Sequence, residues 1–409
     1  MASVPGGQYT LFANGNNMNV VATPDGSGLP PPVAGLFNLE LLTSESGSTS
    51  LPAGYQGVAM LSPDGRTINL VAGDYGVQVA DGGPHTIIAG SGHDTIYGGS
   101  GPTVIFGGNG PDTIIGGSGP DTIYGGSGRD QIVGGSGSEL IVGGNGKDTI
   151  TGSSGSDTIY AGHGGDLIMG GSGATTITAG DGPDTIIGGS GPTAIYGGVG
   201  HATITGGGGP TTIYGGSGRD VITAGSGSTL IMGGAGKDTI IGGSGADTIF
   251  AGHGGDLIVG GSGPDLIVGG DGHDTIFGGS GADTIFGGSG PLLVHGGSGA
   301  DVITGGGAND TIFGGSGADT IDGGSGHNQI FAGTGGTLVQ DSGVRGQDTV
   351  VGFSQAHGDA ISFAGQDAAT VNHVVATANS SGGSTTITLP DGSTMTLVGV
   401  AQIDHTFFH

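Results

Sequence analysis

The chain has no cysteine and no tryptophan, and its 409 residues include only six lysines and arginines and three glutamates. Without cysteine there is no disulfide and no thiolate metal site. This absence fits secretion without oxidative folding. With so few cations there is no basic patch for nucleic acid or anionic lipid. The 34 acids set a formal net charge of −28, a surface that repels polyanions and attracts cations. No apolar run approaches ~18 residues, so neither a transmembrane helix nor membrane insertion is expected. The start, MASVPGGQYT, lacks the basic-then-apolar order of an ordinary signal peptide. HExxH, GxSxG and P-loop motifs are absent. No glutamate follows a histidine, and the recurrent GGSG never completes a nucleophile elbow. The sequence therefore points away from an enzyme.

Glycine is abundant, at 104 residues, too many for a packed multilayer globule. It recurs in a nine-residue register, GGxGxDxUx, where U is a large apolar residue; GGSGPDTIY at 116–124 is a clear copy. The register holds for 29 copies between residues 80 and 340 without an insertion or deletion. A period of nine excludes collagen, and the recurring apolar residue argues against disorder. Three regions follow. Residues 1–79 read as a linker and β-rich cap, with Pro30–Pro32, a polar stretch from Thr43 to Ser50, and strand-like runs Val58–Leu61 and Thr67–Val71 around the turn Pro63-Asp64-Gly65. Residues 80–340 are the repeat tract. Residues 341–409 read as a second β cap, with a hairpin of Thr385–Leu389 and Thr394–Val398 about Pro390-Asp391-Gly392. Blocks also recur at an offset of 90 residues. AGHGGDLI at 161–168 returns at 251–258, and Arg129 and Lys147 match Arg219 and Lys237. Such block duplication suits a solenoid that tolerates lengthening.

Position eight is Ile in 27 copies and Val in the other two, Val294 and Val339. β-branched residues favour a strand, so positions seven to nine form a short strand with position eight inward. GGxGxD is the turn, where glycine supplies left-handed backbone. Two repeats make one 18-residue coil. At about 4.8 Å per coil the tract would be a rod roughly 70 Å long with two facing Ile ladders. So thin a core is weakly stabilised by burial alone.

Position six supplies what the core lacks. Acids 18 residues apart stack ~5 Å apart on one edge and repel each other. A hard divalent cation between them reverses the sign, and carboxylates with turn carbonyls supply the oxygens that Ca²⁺ prefers. One edge carries Asp94, Asp112, Asp130, Asp148, Asp166, Asp184, Asp220, Asp238, Asp256, Asp274 and Asp310, with Ala202, Leu292 and Asn328 as departures. The other carries Asp121, Asp157, Asp247, Asp265, Asp283, Asp301 and Asp319, with a weaker Glu139 and a run of Thr175, Thr193, Thr211 and Thr229. The expectation is one nearly continuous calcium column and one broken between Thr175 and Thr229. Adjacent Asp pairs amount to about 12 strong Ca²⁺ sites, whose charge nearly cancels that of the chain.

The repeats resemble the RTX family of haemolysin-type calcium-binding repeats. The resemblance implies a right-handed parallel β-roll, all-β, with Asp side chains and Gly-loop carbonyls as Ca²⁺ ligands. It also implies a bacterial protein exported unfolded by a type I secretion apparatus, folding outside the cell. GQDTVVGFSQAHGDAISF at 346–363 is similar to the segment that follows the repeats in such proteins, and TLVGVAQIDHTFFH at the end looks like an uncleaved secretion signal. Many family members are enzymes or toxins with a further domain, and no such domain is recognisable here. Position nine presents Phe106, Tyr124, Tyr160, Tyr196, Tyr214, Phe250 and Phe286 on one face, and Ile115, Ile187, Ile241, Phe277 and Phe313 on the other. These stripes either cover each other along the ladder or mark self-association. The reading is a secreted calcium-binding structural protein that assembles into a filament, surface layer or matrix. Alternatives are an ice- or polysaccharide-binding rod using the Thr row, with cell-surface polysaccharide as a partner, and an RTX-linked extracellular enzyme.

Overall fold

The computed structural model describes residues 7–13, 16–23, 37–42, 47–50, 57–60, 66–70, 73–79 and 82–409. Pro30–Pro32, residues 43–46 and the Pro63-Asp64-Gly65 turn lie outside them. The chain divides into two compact units, Met1–Thr203 and Ile204–His409, built on the same plan.

In the first unit, Thr103–Asn109 runs parallel to Thr122–Gly128 with Ile105 opposite Ile123. The intervening strand Thr113–Gly117 pairs instead with Gln131–Gly135, Ile114 opposite Ile132. Alternate copies thus belong to alternate sheets, and partners are 18 residues apart. In the second unit Thr211–Ser217 pairs with Thr229–Ala235, and Val221–Gly225 with Thr239–Gly243. This is the all-β parallel solenoid of the sequence reading. Position eight is fully buried, as at Ile105, Ile114, Ile222 and Ile240. Burying one such side chain stabilises by roughly 1.5–3 kcal/mol.

Strands are longer than the three residues expected. They run on through the first two glycines of the next copy, as in Thr113–Gly117 and Gln131–Gly135, because those backbone groups continue the ladder. The tight approach needs glycine. A Cβ on Gly146, at φ +147°, would sit 1.5 Å from the Gly128 carbonyl oxygen. Ser153 is the one described non-glycine with positive φ, at 101°.

Parallel pairing begins ahead of the first nonapeptide copy. Asn16–Thr23, Phe37–Leu42, Gly57–Met60, Gly76–Val79 and Thr95–Tyr97 form one ladder. Gly47–Ser50, Arg66–Asn69 and His85–Ile88 form the other. Here Arg66 faces His85 and Gly76 faces Thr95, so most coils hold one residue more than 18 and the nine-residue register is lost while the coil persists. Coils lengthen further at the end of the tract, where Gly326 faces Gly346 and Leu338 faces Ala360.

The expected hairpin is present: Ser384–Thr388 pairs antiparallel with Thr394–Val398. A helix, Ala368–Thr377, was not anticipated. Asp367 accepts from the Thr370 amide at 2.7 Å while the Asp367 amide donates to the Thr370 hydroxyl at 2.8 Å, a capping box. The helix buries Val371 and Val374. At the terminus Phe407 stacks on Phe353 at 5.8 Å and Phe408 meets Phe363 edge-on at 6.0 Å.

Candidate metal centre

Position six lies just before the strand or opens it, as in Asp157–His163, on the same inward side as position eight. Its acids are therefore buried: Asp94, Asp112, Asp130, Asp247, Asp265 and Asp283 are each no more than 3% exposed. One carboxylate oxygen has a fixed duty. Oδ1 accepts the position-six amide of the preceding coil, so that the Asp94 amide donates to Asp112, Asp112 to Asp130 and Asp130 to Asp148, each at 2.8 Å. The chain of bonds continues through Asp166 to Asp184. In the second unit it runs from Asp220 through Asp238 and Asp256 to Asp274, and on the other edge from Asp247 through Asp265, Asp283 and Asp301 to Asp319. The Leu292 amide donates to Asp310 at 3.0 Å, the Thr103 amide to Asp121 at 2.7 Å and the Glu139 amide to Asp157 at 3.1 Å.

The second oxygen has no such duty. Oδ2 of Asp94, Asp112, Asp121, Asp130, Asp148, Asp157, Asp166 and Asp184 is buried without a protein hydrogen-bond partner. The same holds in the second unit for Asp238, Asp247, Asp256, Asp265, Asp274, Asp283, Asp301, Asp310 and Asp319. Main-chain oxygen borders the same space. A Cβ on Gly107 would lie 2.7 Å from Asp112 Oδ2 and 2.5 Å from the Gly125 carbonyl oxygen. On Gly260 it would lie 2.6 Å from Asp265 Oδ2 and 2.5 Å from the Gly278 oxygen. Negative ends thus face one another with no donor between them, at roughly 1–3 kcal/mol for each unsatisfied group. Carboxylate and carbonyl oxygens, with no nitrogen or sulfur, fit Ca²⁺ and not Zn²⁺. Among the described residues no three His, Asp or Glu side chains converge, so a cation here would need backbone carbonyls or water to complete its shell.

Burial is the main force on the acids' titration. It pushes Asp94, Asp112, Asp121, Asp130 and Asp148 up to about 6 against the lowering effect of the amide bond. Asp256, Asp265, Asp283 and Asp310 are held at about 6 in the same way. Glu139 is pushed to about 8, by burial first and then by the neighbouring Asp157 carboxyl.

The copies without an acid are closed by other means. Thr193 and Thr211 donate their hydroxyls to the carbonyls of Gly191 and Gly209 at 3.0 and 2.9 Å; Thr175 and Thr229 do the same to Gly173 and Gly227. Where the next coil brings Thr instead of Asp, the position-six amide turns to the residue before that Thr. The Asp157 amide donates to the Ala174 carbonyl, and the Thr175 amide to Pro192, at 3.0 Å each. Leu292 places Cδ1 1.8 Å from the Cβ site of Gly287, filling with carbon the space an acid oxygen occupies elsewhere. Asn328 Nδ2 donates to Asp348 Oδ1 at 2.8 Å, and burial pushes Asp348 up to about 7. In each of these turns protein atoms fill or cap the space. Thr229→Asp, next to Asp247, is expected to add one bound calcium per chain, counted by equilibrium dialysis. An unchanged count would refute this assignment.

On the outer faces, position nine forms ring ladders. Phe106 stacks on Tyr124 at 4.8 Å, and Phe277, His295, Phe313 and Phe331 stack in sequence at 4.9, 4.6 and 4.4 Å. Neighbours do cover each other's ring faces, yet Tyr160 stays 47% and Phe286 44% exposed.

These oxygen-lined turns between stacked coils define a calcium-binding β-solenoid. The model of the RTX calcium-binding nonapeptide repeat matches in successive segments from 80–105 to 295–335, and the chain belongs to that family. No curated protein matches the sequence. Among solved structures the chain is similar to the extracellular lipase LipA from Serratia marcescens, with 15% identity and a TM-score of 0.20. The match covers 81% of this chain and 44% of the lipase, so the chain spans less than half of that protein's length. A likeness this distant carries no argument about activity. No described helix is long and apolar enough to cross a membrane.

Proposed function

We infer that this is a secreted bacterial structural protein, exported through a type I apparatus, that folds on meeting extracellular calcium and then associates through its sheet faces into a filament, layer or matrix. The observation that supports the calcium step is the row of buried carboxylate oxygens with no protein partner. Exposed position-nine side chains such as Tyr97, Tyr160, Phe250 and Phe286 support the association step. Calcium lowers the self-repulsion of a chain at −28, which couples the two steps.

The ice- or polysaccharide-binding alternative drew on the row Thr175–Thr229. Those side chains are at most 5% exposed and their hydroxyls are taken by turn carbonyls, so they offer no hydroxyl array to a surface. The test is a calcium titration of the purified chain followed by circular dichroism and light scattering together. β signal and particle size are expected to rise together and to fall together on chelation. Folding without growth in size would sink the assembly step and leave the calcium step standing.

A further inference from the structure

Four of the six cationic residues in this acidic chain stand at position five of one edge, as Arg129 and Lys147 in the first unit and Arg219 and Lys237 in the second. In the second unit they border a cavity of about 290 Å³. Gly255 occupies position five of the next coil and has no side chain, so a gap opens between Lys237 and His273, the residues of that position on either side. Lys237 forms no hydrogen bond or ion pair within contact distance among the described residues; burial pushes the Asp256 carboxyl up, and the Lys237 charge acts to lower it. The remaining wall is mixed. Thr239 and Thr275 bring hydroxyls, and Leu257, 39% exposed, brings an apolar surface. The acids beneath, Asp238 and Asp256, belong to the carboxylate row, and the proposal rests on the calcium reading, in which an ion on that row offsets their charge.

We propose that this cavity binds an acidic sugar unit of a polysaccharide, its carboxylate held between Lys237 and His273 with Arg219 adjacent, and its ring against Leu257 and the two threonines. A bare inorganic anion would use the cations alone. Hydroxyls and an apolar side chain beside them suit a ligand with one charged group on a ring that is polar at its edge and apolar on its face. The first unit repeats Arg129, Lys147 and Gly165 but has Pro183 where His273 stands, so the second unit holds the more complete site. The proposal does not depend on whether copies of the chain associate.

The test is calorimetric titration of hyaluronan hexasaccharide into the calcium-loaded 409-residue chain, with chitohexaose as the neutral comparator. The acidic sugar is expected to bind and the neutral one to bind at least about tenfold more weakly. The double variant K237Q/H273Q is expected to lose affinity by about tenfold or more, the effect of removing charge-assisted hydrogen bonds, with circular dichroism unchanged. Should the double variant misfold, Lys237→Gln alone removes the exposed amine and is read the same way. No binding, equal binding of the neutral sugar, or equal affinity in a folded variant would overturn the proposal.

Discussion

Chelating calcium at neutral pH is expected to abolish most of the β-sheet circular dichroism, and lowering the pH of the chelated sample towards 4 is expected to restore part of it. The magnitudes decide this. Five buried acids of the first unit, Asp94, Asp112, Asp121, Asp130 and Asp148, are held at about 6 against an ordinary 3.8. Ionising each of them in the folded, metal-free state costs on the order of 2–3 kcal/mol. Together they match the whole net stability of a typical domain, about 5–15 kcal/mol. Their folded values lie above the unfolded ones, so protonation favours the fold. That contribution is complete below about pH 4 and is lost as the pH rises through about 6. Glu139, at about 8, extends the loss upward. With calcium present the sign reverses, because the ion requires deprotonated carboxylates, and the fold should weaken as the pH falls and protons compete with the ion for them. Two opposed pH profiles, one in chelator and one in calcium, are the signature. A chelated chain that is fully folded at neutral pH would contradict the assignment of the metal centre.

Gly146→Ala is expected to be among the most damaging single substitutions in the tract. The new methyl would lie 1.5 Å from the Gly128 carbonyl oxygen and 3.3 Å from Asp148 Oδ1, in a backbone at φ +147° that L residues rarely adopt. The neighbouring coil cannot move away without breaking the hydrogen bond that the Asp130 amide donates to Asp148 Oδ1. Strain and clash together should cost roughly 3 kcal/mol or more, with a fall in melting temperature and a loss of about one calcium per chain. A variant with the wild-type melting temperature and calcium count would show that the coils have slack. Ser153 sets a useful bound, since the second position of the next turn, on the other edge, does accept a side chain at φ 101°. The fourth position on the Gly146 edge is the tighter one.

Strict nine-residue spacing was enough, read from residues alone, to determine the two-strand coil, the inward Ile and the alternation of acids between two edges. Each depends only on side-chain period and coil length, which are local properties. The position-six acids were legible as a stacked, buried row for the same reason, being one residue type recurring at the coil period. Other features depended on what packs against what. The duty of Oδ1 on the neighbouring coil's amide could not be read, nor could the hydroxyl closure by Thr193 and Thr211. Both are contacts between one turn and another part of the fold, and a one-dimensional register does not record which acceptor lies nearest. The capping box at Asp367 and Thr370 was present in the sequence, but a single ten-residue helix beside a long β pattern leaves too weak a period to stand out. The coils outside residues 80–340 were hidden for the opposite reason. Ile68 lies opposite Ile87 as Ile105 lies opposite Ile123, yet the extra residue in the intervening coil erases the repeat from the sequence. Only the tertiary structure shows that pairing is set by where strands meet in space, with the turns absorbing differences in residue count.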